Sequence, residues 1–255
     1  MDETVAVRST GLVPSPLFLL LLATTVAGGA LAGVAEGPVR TGGIVLLVLG
    51  GWAASLCLHE FSHALLAYRG GDRSVRAKGY LTLDIRRYTD PVFSLVMPLV
   101  LLAVGGIPLP GGAVWVDRSA LRSRGVESAV SLAGPLTNLA IGVALVATVA
   151  TGALPTGLAI GLSYLALVQV LAFVINILPV PGLDGFGALE PYLSSQPRRF
   201  AVTVRPFAPL ALFVIIISVP VVAAALFGIT GAVFGAIGGD VGAADAGVSE
   251  FLFWR

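Results

Sequence analysis

The sequence predicts an all-α polytopic membrane protein of five to six transmembrane helices, with a re-entrant helix and β-hairpin segment between the second span and the next full one. Three observations carry that prediction. Of 255 residues, 56% are hydrophobic and only 11% charged, and the mean hydropathy is +0.96. An average soluble protein has about 25% charged residues, so this chain lacks the polar surface to coat a globule in water. Several apolar stretches also reach the roughly 20 residues that a helix needs to cross about 30 Å of hydrocarbon. Finally, the longest polar stretch, residues 69–90, is too short to make a soluble domain. Residues 1–255 are therefore read as one membrane domain, with a core at about 44–190 and a C-terminal apolar part at about 207–238.

The first apolar run covers about residues 17–35. A secretory signal competes with this reading, because Ala30 and Ala32 make a small-residue site. The run is long, however, and Arg8 is its only basic flank, so a span is expected. The second run covers about 44–68. Gly29, Gly33, Gly50 and Gly51 sit in these two runs at small-residue positions suited to close helix packing. The block at 92–107 is shorter, and Pro98, Gly105, Gly106, Pro108 and Pro110 interrupt or end it. Such a block suits a segment that enters the membrane and returns. Full spans follow at about 126–150 and 157–179. The tail from Phe207 makes either one span or, with a break near Pro220, two short ones.

The formal net charge is +1, from 15 basic and 14 acidic residues with no block of like charge. Nucleic acid is excluded as a partner, since that affinity comes mostly from clustered Lys and Arg neutralising phosphates. A single cysteine, Cys57, rules out a disulfide framework and a multi-cysteine metal site.

Both histidines of the chain lie in His59-Glu60-Phe61-Ser62-His63, inside the second span. Positions four apart stand on one helix face, so both imidazoles can reach one metal ion, with Glu60 beside them. Two histidines and six glutamates scattered at random would give this arrangement about twice in ten thousand sequences, which makes coincidence a weak explanation. A charge at the centre of a membrane helix costs about 2.5 to 3.5 kcal/mol, and a cost of that size points to function. Zinc catalysis supplies one: two histidines and a carboxylate hold the ion, water takes the fourth position, and a nearby glutamate takes the proton from that water.

The third ligand is expected to be Asp184. It follows directly on an apolar span, in Asn176-Ile177-Leu178-Pro179-Val180-Pro181-Gly182-Leu183-Asp184-Gly185, where two prolines end the helix. The alternative is an aspartate capping a turn. Cys57 lies about 200° around the helix from His59 and should pack rather than ligate. Topology gives an independent argument. His59 stands in the second half of its span and Asp184 follows the end of its own, so the two meet only if one crossing, not two, separates those spans. If 92–107 crosses, eight basic residues face one side and seven the other; if it is re-entrant, thirteen face one side and only Arg40 and Arg255 the other. The positive-inside rule prefers the second arrangement, which puts the N-terminus, the histidines and Asp184 toward the cytoplasm.

With these residues in place the sequence resembles the site-2 protease family, intramembrane zinc metalloproteases, in its compact bacterial type without PDZ or CBS domains. The resemblance rests on His59 to His63, on Ala133-Gly134-Pro135-Leu136-Thr137-Asn138, and on the Asn176 to Gly185 run. Gly79-Tyr80-Leu81-Thr82-Leu83-Asp84 followed by Asp90-Pro91 adds to it. It implies that His59, His63 and Asp184 bind one zinc ion, that Glu60 activates the water, and that Asn176 and Asn138 orient substrate or steady the site. For each asparagine an interhelical hydrogen bond is the alternative. The sequence departs from the family at Tyr88, where that branch often has histidine, and at Phe186, where a second glycine often follows Asp-Gly.

The activity implied is regulated intramembrane proteolysis at the cell membrane: hydrolysis of single-span transmembrane proteins, unwound for cleavage, within the lipid bilayer. Residues 105–116, ending in Ala113-Val114-Trp115-Val116, are expected to fold back as a short strand that receives the peptide; the alternative is a simple membrane-interface loop with Trp115 at the headgroups. The rival readings are a non-proteolytic membrane metal-binding or transport protein and an inactive protease relative.

Overall fold

The computed structural model describes residues 14–88, 102 and 114–254. Among them are ten α-helices and no strand. Helix α1, Pro16–Val34, starts at Ser15, whose side chain caps the Phe18 N–H, and has proline in its first turn, where no intrahelical N–H is needed. Two residues later α2, Gly37–Gly70, begins. Its 34 residues make a rod of about 51 Å, well beyond the hydrocarbon thickness.

Glycine sets the contact between these two helices. A Cβ on Gly28 would lie 2.4 Å from the Leu47 nitrogen, and one on Gly43 would lie 2.6 Å from the Ala32 nitrogen, so the backbones touch directly. The glycines read as packing positions also lie at helix contacts. Gly50 faces Thr25, Gly29 and Gly33 approach Leu158 and Pro155, and Gly51 takes Leu165.

After α2 the chain turns through α3, Ser74–Ala77, and single 3₁₀ turns at Tyr80–Thr82 and Ile85–Arg87. The block at 92–107 lies outside the described residues apart from Leu102, which is fully buried. Of the expected strand only Val114–Val116 are described; they run as irregular chain, so no hairpin is formed by the described residues. The two ends of this connection meet: the Arg122 N–H donates to the Gly70 carbonyl at 3.1 Å, and the buried Asp72 carboxylate accepts the Asp117 N–H at 2.7 Å.

Helix α4, Arg124–Ala150, is capped by Ser123, and α5, Thr156–Asn176, returns beside it. In their apolar windows α2 and α5 are 61% and 67% buried, against 22% for α1 and 33% for α4. The centre of the fold is therefore α2 against α5, with α1 and α4 outside. Leu19, Leu20, Val26 and Val34 of α1 point outward, as lipid contact requires.

Pro179 and Pro181 end the run of α5, and α6, Asp184–Leu189, follows. Helix α7, Ser195–Val204, then meets α8, Ala208–Ser218, at a bend of 71°. Val219 is extended and Pro220 opens α9, Pro220–Ala236, so the tail divides at the proline. Against the five to six spans expected, the described residues hold four helices long and apolar enough to cross, or five if α7 and α8 count as one. The reason is length: α8 has 11 residues and α9 17, each under a full crossing.

The last helix, α10, Val241–Phe251, has no counterpart in the sequence reading. It lies across α5, where a Cβ on Gly247 would be 2.4 Å from the Ile160 carbonyl oxygen, and its Glu250 binds Arg40 and Thr41 at the start of α2.

Candidate metal centre

His59 and His63 project from one face of α2, with ring planes edge to face at 76° and their Nε2 atoms 3.1 Å apart. Both rings are nearly buried, and both Nδ1 atoms are engaged on α4. His63 Nδ1 is 2.7 Å from the Val130 carbonyl oxygen, and His59 Nδ1 is 2.6 Å from Asn138 Oδ1. A backbone carbonyl can only accept, so His63 Nδ1 carries a proton and a neutral ring turns its Nε2 lone pair inward.

Asp184, the first residue of α6, closes the triangle. Its Oδ2 lies 3.2 Å from His59 Nε2 and its Oδ1 3.4 Å from His63 Nε2. It does not cap: Leu183 holds the N-cap position, and the Asp184 side chain turns to the rings. Among the described residues, His59, His63 and Asp184 form the group able to hold a metal ion.

The geometry fits zinc. Four ligands at about 2.0–2.1 Å in a tetrahedron stand roughly 3.3–3.4 Å apart; the three separations here are 3.1, 3.2 and 3.4 Å. A carboxylate and two inward Nε2 atoms repel one another unless positive charge lies between them. Gly134 of α4 completes the cradle. A Cβ there would fall 2.3 Å from His63 Nε2 and 2.4 Å from His59 Nε2, in the space an ion shared by both nitrogens requires.

Glu60 is 3% exposed and accepts the Val114 N–H at 3.2 Å. It shares with the three ligand-type residues a cavity of about 420 Å³, also lined by Asn138 and Asn176. Thus His59, Glu60, His63, Asn138, Asn176 and Asp184, the six site residues expected from the sequence, all line this cavity. The two asparagines differ in setting: Asn138 is bonded to His59, while Asn176, buried at the end of α5, stands on the cavity wall. Cys57 is fully buried in the core cluster, away from the triangle.

Several neighbours escaped the sequence reading. Gln169 accepts from Asn138 at 2.7 Å and donates to Ser55 at 2.9 Å. A glutamine inside an apolar span is a signal that could have found it; Ser55 carries none. Near the cavity, buried Glu190 accepts from Arg118 at 2.6 Å and Arg205 at 2.7 Å, and Arg118 also reaches Glu127 at 2.7 Å. These pairs tie the start of α4, the turn after α6 and the end of α7 together beside the site.

Curated relatives match most of the chain. It is 44% identical over 210 residues to the Putative zinc metalloprotease Rip2 of Mycolicibacterium smegmatis, covering 80% of this chain and 81% of the relative. It is 42% identical over 246 residues to the protein of the same name from Mycobacterium tuberculosis, covering 94% of each. The chain belongs to the site-2 protease family. The Putative zinc metalloprotease YwhC of Bacillus subtilis is 33% identical over 145 residues, covering 53% of this chain and 64% of that one. No family model matches, and no solved structure matches significantly. Family membership supports a zinc metalloprotease, and the apolar helices fit a multi-pass membrane protein.

Proposed function

We propose that this site-2 protease hydrolyses peptide bonds of single-span transmembrane proteins inside the cell membrane, near its cytoplasmic side, with one zinc ion. The observation that carries the reading is the meeting of three ligand-type atoms 3.1–3.4 Å apart, with the Glu60 carboxylate on the same cavity and apolar helices around it. A zinc ion held by His59, His63 and Asp184 supplies a Lewis acid for the scissile carbonyl and acidifies water. Glu60 takes the proton of the attacking water and returns it to the departing amine. The Val114 N–H steadies one oxygen of that carboxylate. Asn176, on the cavity wall, orients the substrate backbone.

A transmembrane helix hides its amides in internal hydrogen bonds, so the substrate unwinds before it is cut. Its extended backbone lies along Val114–Val116, which line the cavity. The contact of Arg122 with Gly70 supports a re-entrant 92–107, because a connection that starts and ends at one place crosses the membrane an even number of times. With that topology the positive-inside rule orients the site toward the cytoplasm.

The test is zinc analysis of the purified protein, followed by incubation with a panel of single-span substrates in vesicles. Wild type should contain zinc and cleave. Glu60→Gln should contain zinc and cleave at least about 100-fold more slowly. Zinc-loaded wild type that cuts no member of the panel, or Glu60→Gln that cuts as well as wild type, would refute the proposal.

A further inference from the structure

We propose that Ser55 and Gln169 are positioning residues that set, through Asn138, which ring nitrogen of His59 faces the metal. The inference rests on the reading of His59 as a ligand and extends it to two residues that do not touch the ion. A continuous chain of buried hydrogen bonds runs from the Trp52 carbonyl to the His59 ring. Ser55 Oγ lies 2.8 Å from the Trp52 oxygen, Gln169 Nε2 2.9 Å from Ser55 Oγ, Asn138 Nδ2 2.7 Å from Gln169 Oε1, and Asn138 Oδ1 2.6 Å from His59 Nδ1. Its four side chains are at most 5% exposed, so water does not compete for these bonds.

The direction of the chain follows from its fixed end. A backbone carbonyl only accepts, so the Ser55 hydroxyl donates to Trp52 and offers its own lone pair outward. Gln169 must then present its NH₂ to Ser55 and its oxygen to Asn138. Asn138 in turn presents its NH₂ to Gln169 and its oxygen to His59. An acceptor facing Nδ1 requires the proton there, and the neutral ring is left with its Nε2 lone pair toward Asp184 and His63. Reversing every bond would put the His59 proton on Nε2, where it blocks the ion, and would also forfeit the Ser55–Trp52 bond. His63 gets the same orientation directly from the Val130 carbonyl. The relay does for His59 what one backbone oxygen does for His63.

The experiment measures zinc dissociation constants by chelator competition on the full-length protein in detergent, with the Tm of the zinc-free form recorded alongside. Gln169→Leu keeps the size and removes both bonds; it should weaken zinc binding by roughly tenfold or more, within the range known for residues that orient metal ligands. Gln169→Glu still accepts from Asn138 and should stay within about threefold of wild type. If Gln169→Leu lowers the Tm of the zinc-free protein, Ser55→Ala decides instead; losing one hydroxyl should weaken binding by roughly two- to fivefold. Wild-type affinity in Gln169→Leu and Ser55→Ala, or equal losses in Gln169→Leu and Gln169→Glu, would overturn the relay. His59→Ala is the separate control: if it leaves zinc affinity unchanged, the metal-site reading itself fails, whatever Gln169 does.

Discussion

Replacing Gly134 with alanine adds one methyl group at the most demanding point of the molecule. The new Cβ would stand 2.3 Å from His63 Nε2, 2.4 Å from His59 Nε2 and 2.5 Å from His59 Cε1, where ordinary contact begins near 3.4 Å. To accommodate it, α4 and the two rings of α2 must separate by about 1 Å. A zinc site tolerates ligand displacements of about 0.2 Å, and the methyl would occupy the same region as an ion bound at about 2.0–2.1 Å to both nitrogens. Overpacking of this kind costs typically 1–3 kcal/mol, a loss that a well-folded membrane protein can survive. The expected result is a folded protein whose zinc affinity falls at least about 100-fold, a limit set by disrupting first ligands rather than their supports. Metal analysis by atomic emission and chelator competition read the loss. Gly142→Ala, two turns along the same helix, is the control, since its Cβ would come no nearer than 3.3 Å to Val170 Cγ2 and 3.5 Å to the Ala166 oxygen and Gln169 Cβ. Stoichiometric zinc of unchanged affinity in Gly134→Ala would show that the ion does not lie between these nitrogens.

Three further outcomes follow from the same geometry. Zinc at a thousand times its dissociation constant should stabilise the protein against unfolding by about 4 kcal/mol; Asp184→Ala should abolish most of that thermal shift, and an undiminished shift would remove Asp184 from the ligand set. Glu60→Gln should lower turnover by roughly 10²- to 10⁴-fold, the usual worth of a general acid–base group, with zinc content equal to wild type by metal analysis. Gly43→Ala sets a methyl 2.6 Å from the Ala32 nitrogen and 2.9 Å from the Gly28 oxygen. It should cost about 1–3 kcal/mol in a denaturation series, and a neutral effect would mean that α1 and α2 are not in backbone contact.

Sequence alone reached those features that depend on local spacing or on charge balance. His59 and His63 share a face because 3.6 residues make a turn, and that holds wherever the helix sits. Asp184 stands out because it follows an apolar span that two prolines end, and the count of basic residues on each side agrees with that choice. The break at Pro220 needs only the missing N–H of proline. The Ser55–Gln169–Asn138 relay joins residues 114 and 31 positions apart, and its existence depends on how three helices rotate about their axes. No local pattern fixes that rotation. Helix α10 was hidden for another reason: Asp240, Asp245 and Glu250 interrupt its Gly- and Ala-rich sequence, so it never forms an apolar run.

Phe186 shows why the motif near Asp184 can vary without loss of the site. Apolar side chains provide little drive for helices to associate in lipid, so the elements that meet at the metal centre are held by close backbone approach and buried hydrogen bonds. That approach is tight at two glycines of α6. A Cβ on Gly185 would lie 2.0 Å from the Ile177 oxygen, and one on Gly187 would lie 2.8 Å from Ser131 Oγ of α4. Both positions keep glycine here. Phe186 stands between them with its side chain on the cavity wall, 9% exposed, where a large residue has room. The departure from the family's second glycine therefore falls beside, not on, the two positions where a Cβ would meet a neighbouring backbone or helix. Its ring lines the cavity, while Gly185 and Gly187 keep the close contacts on either side of it.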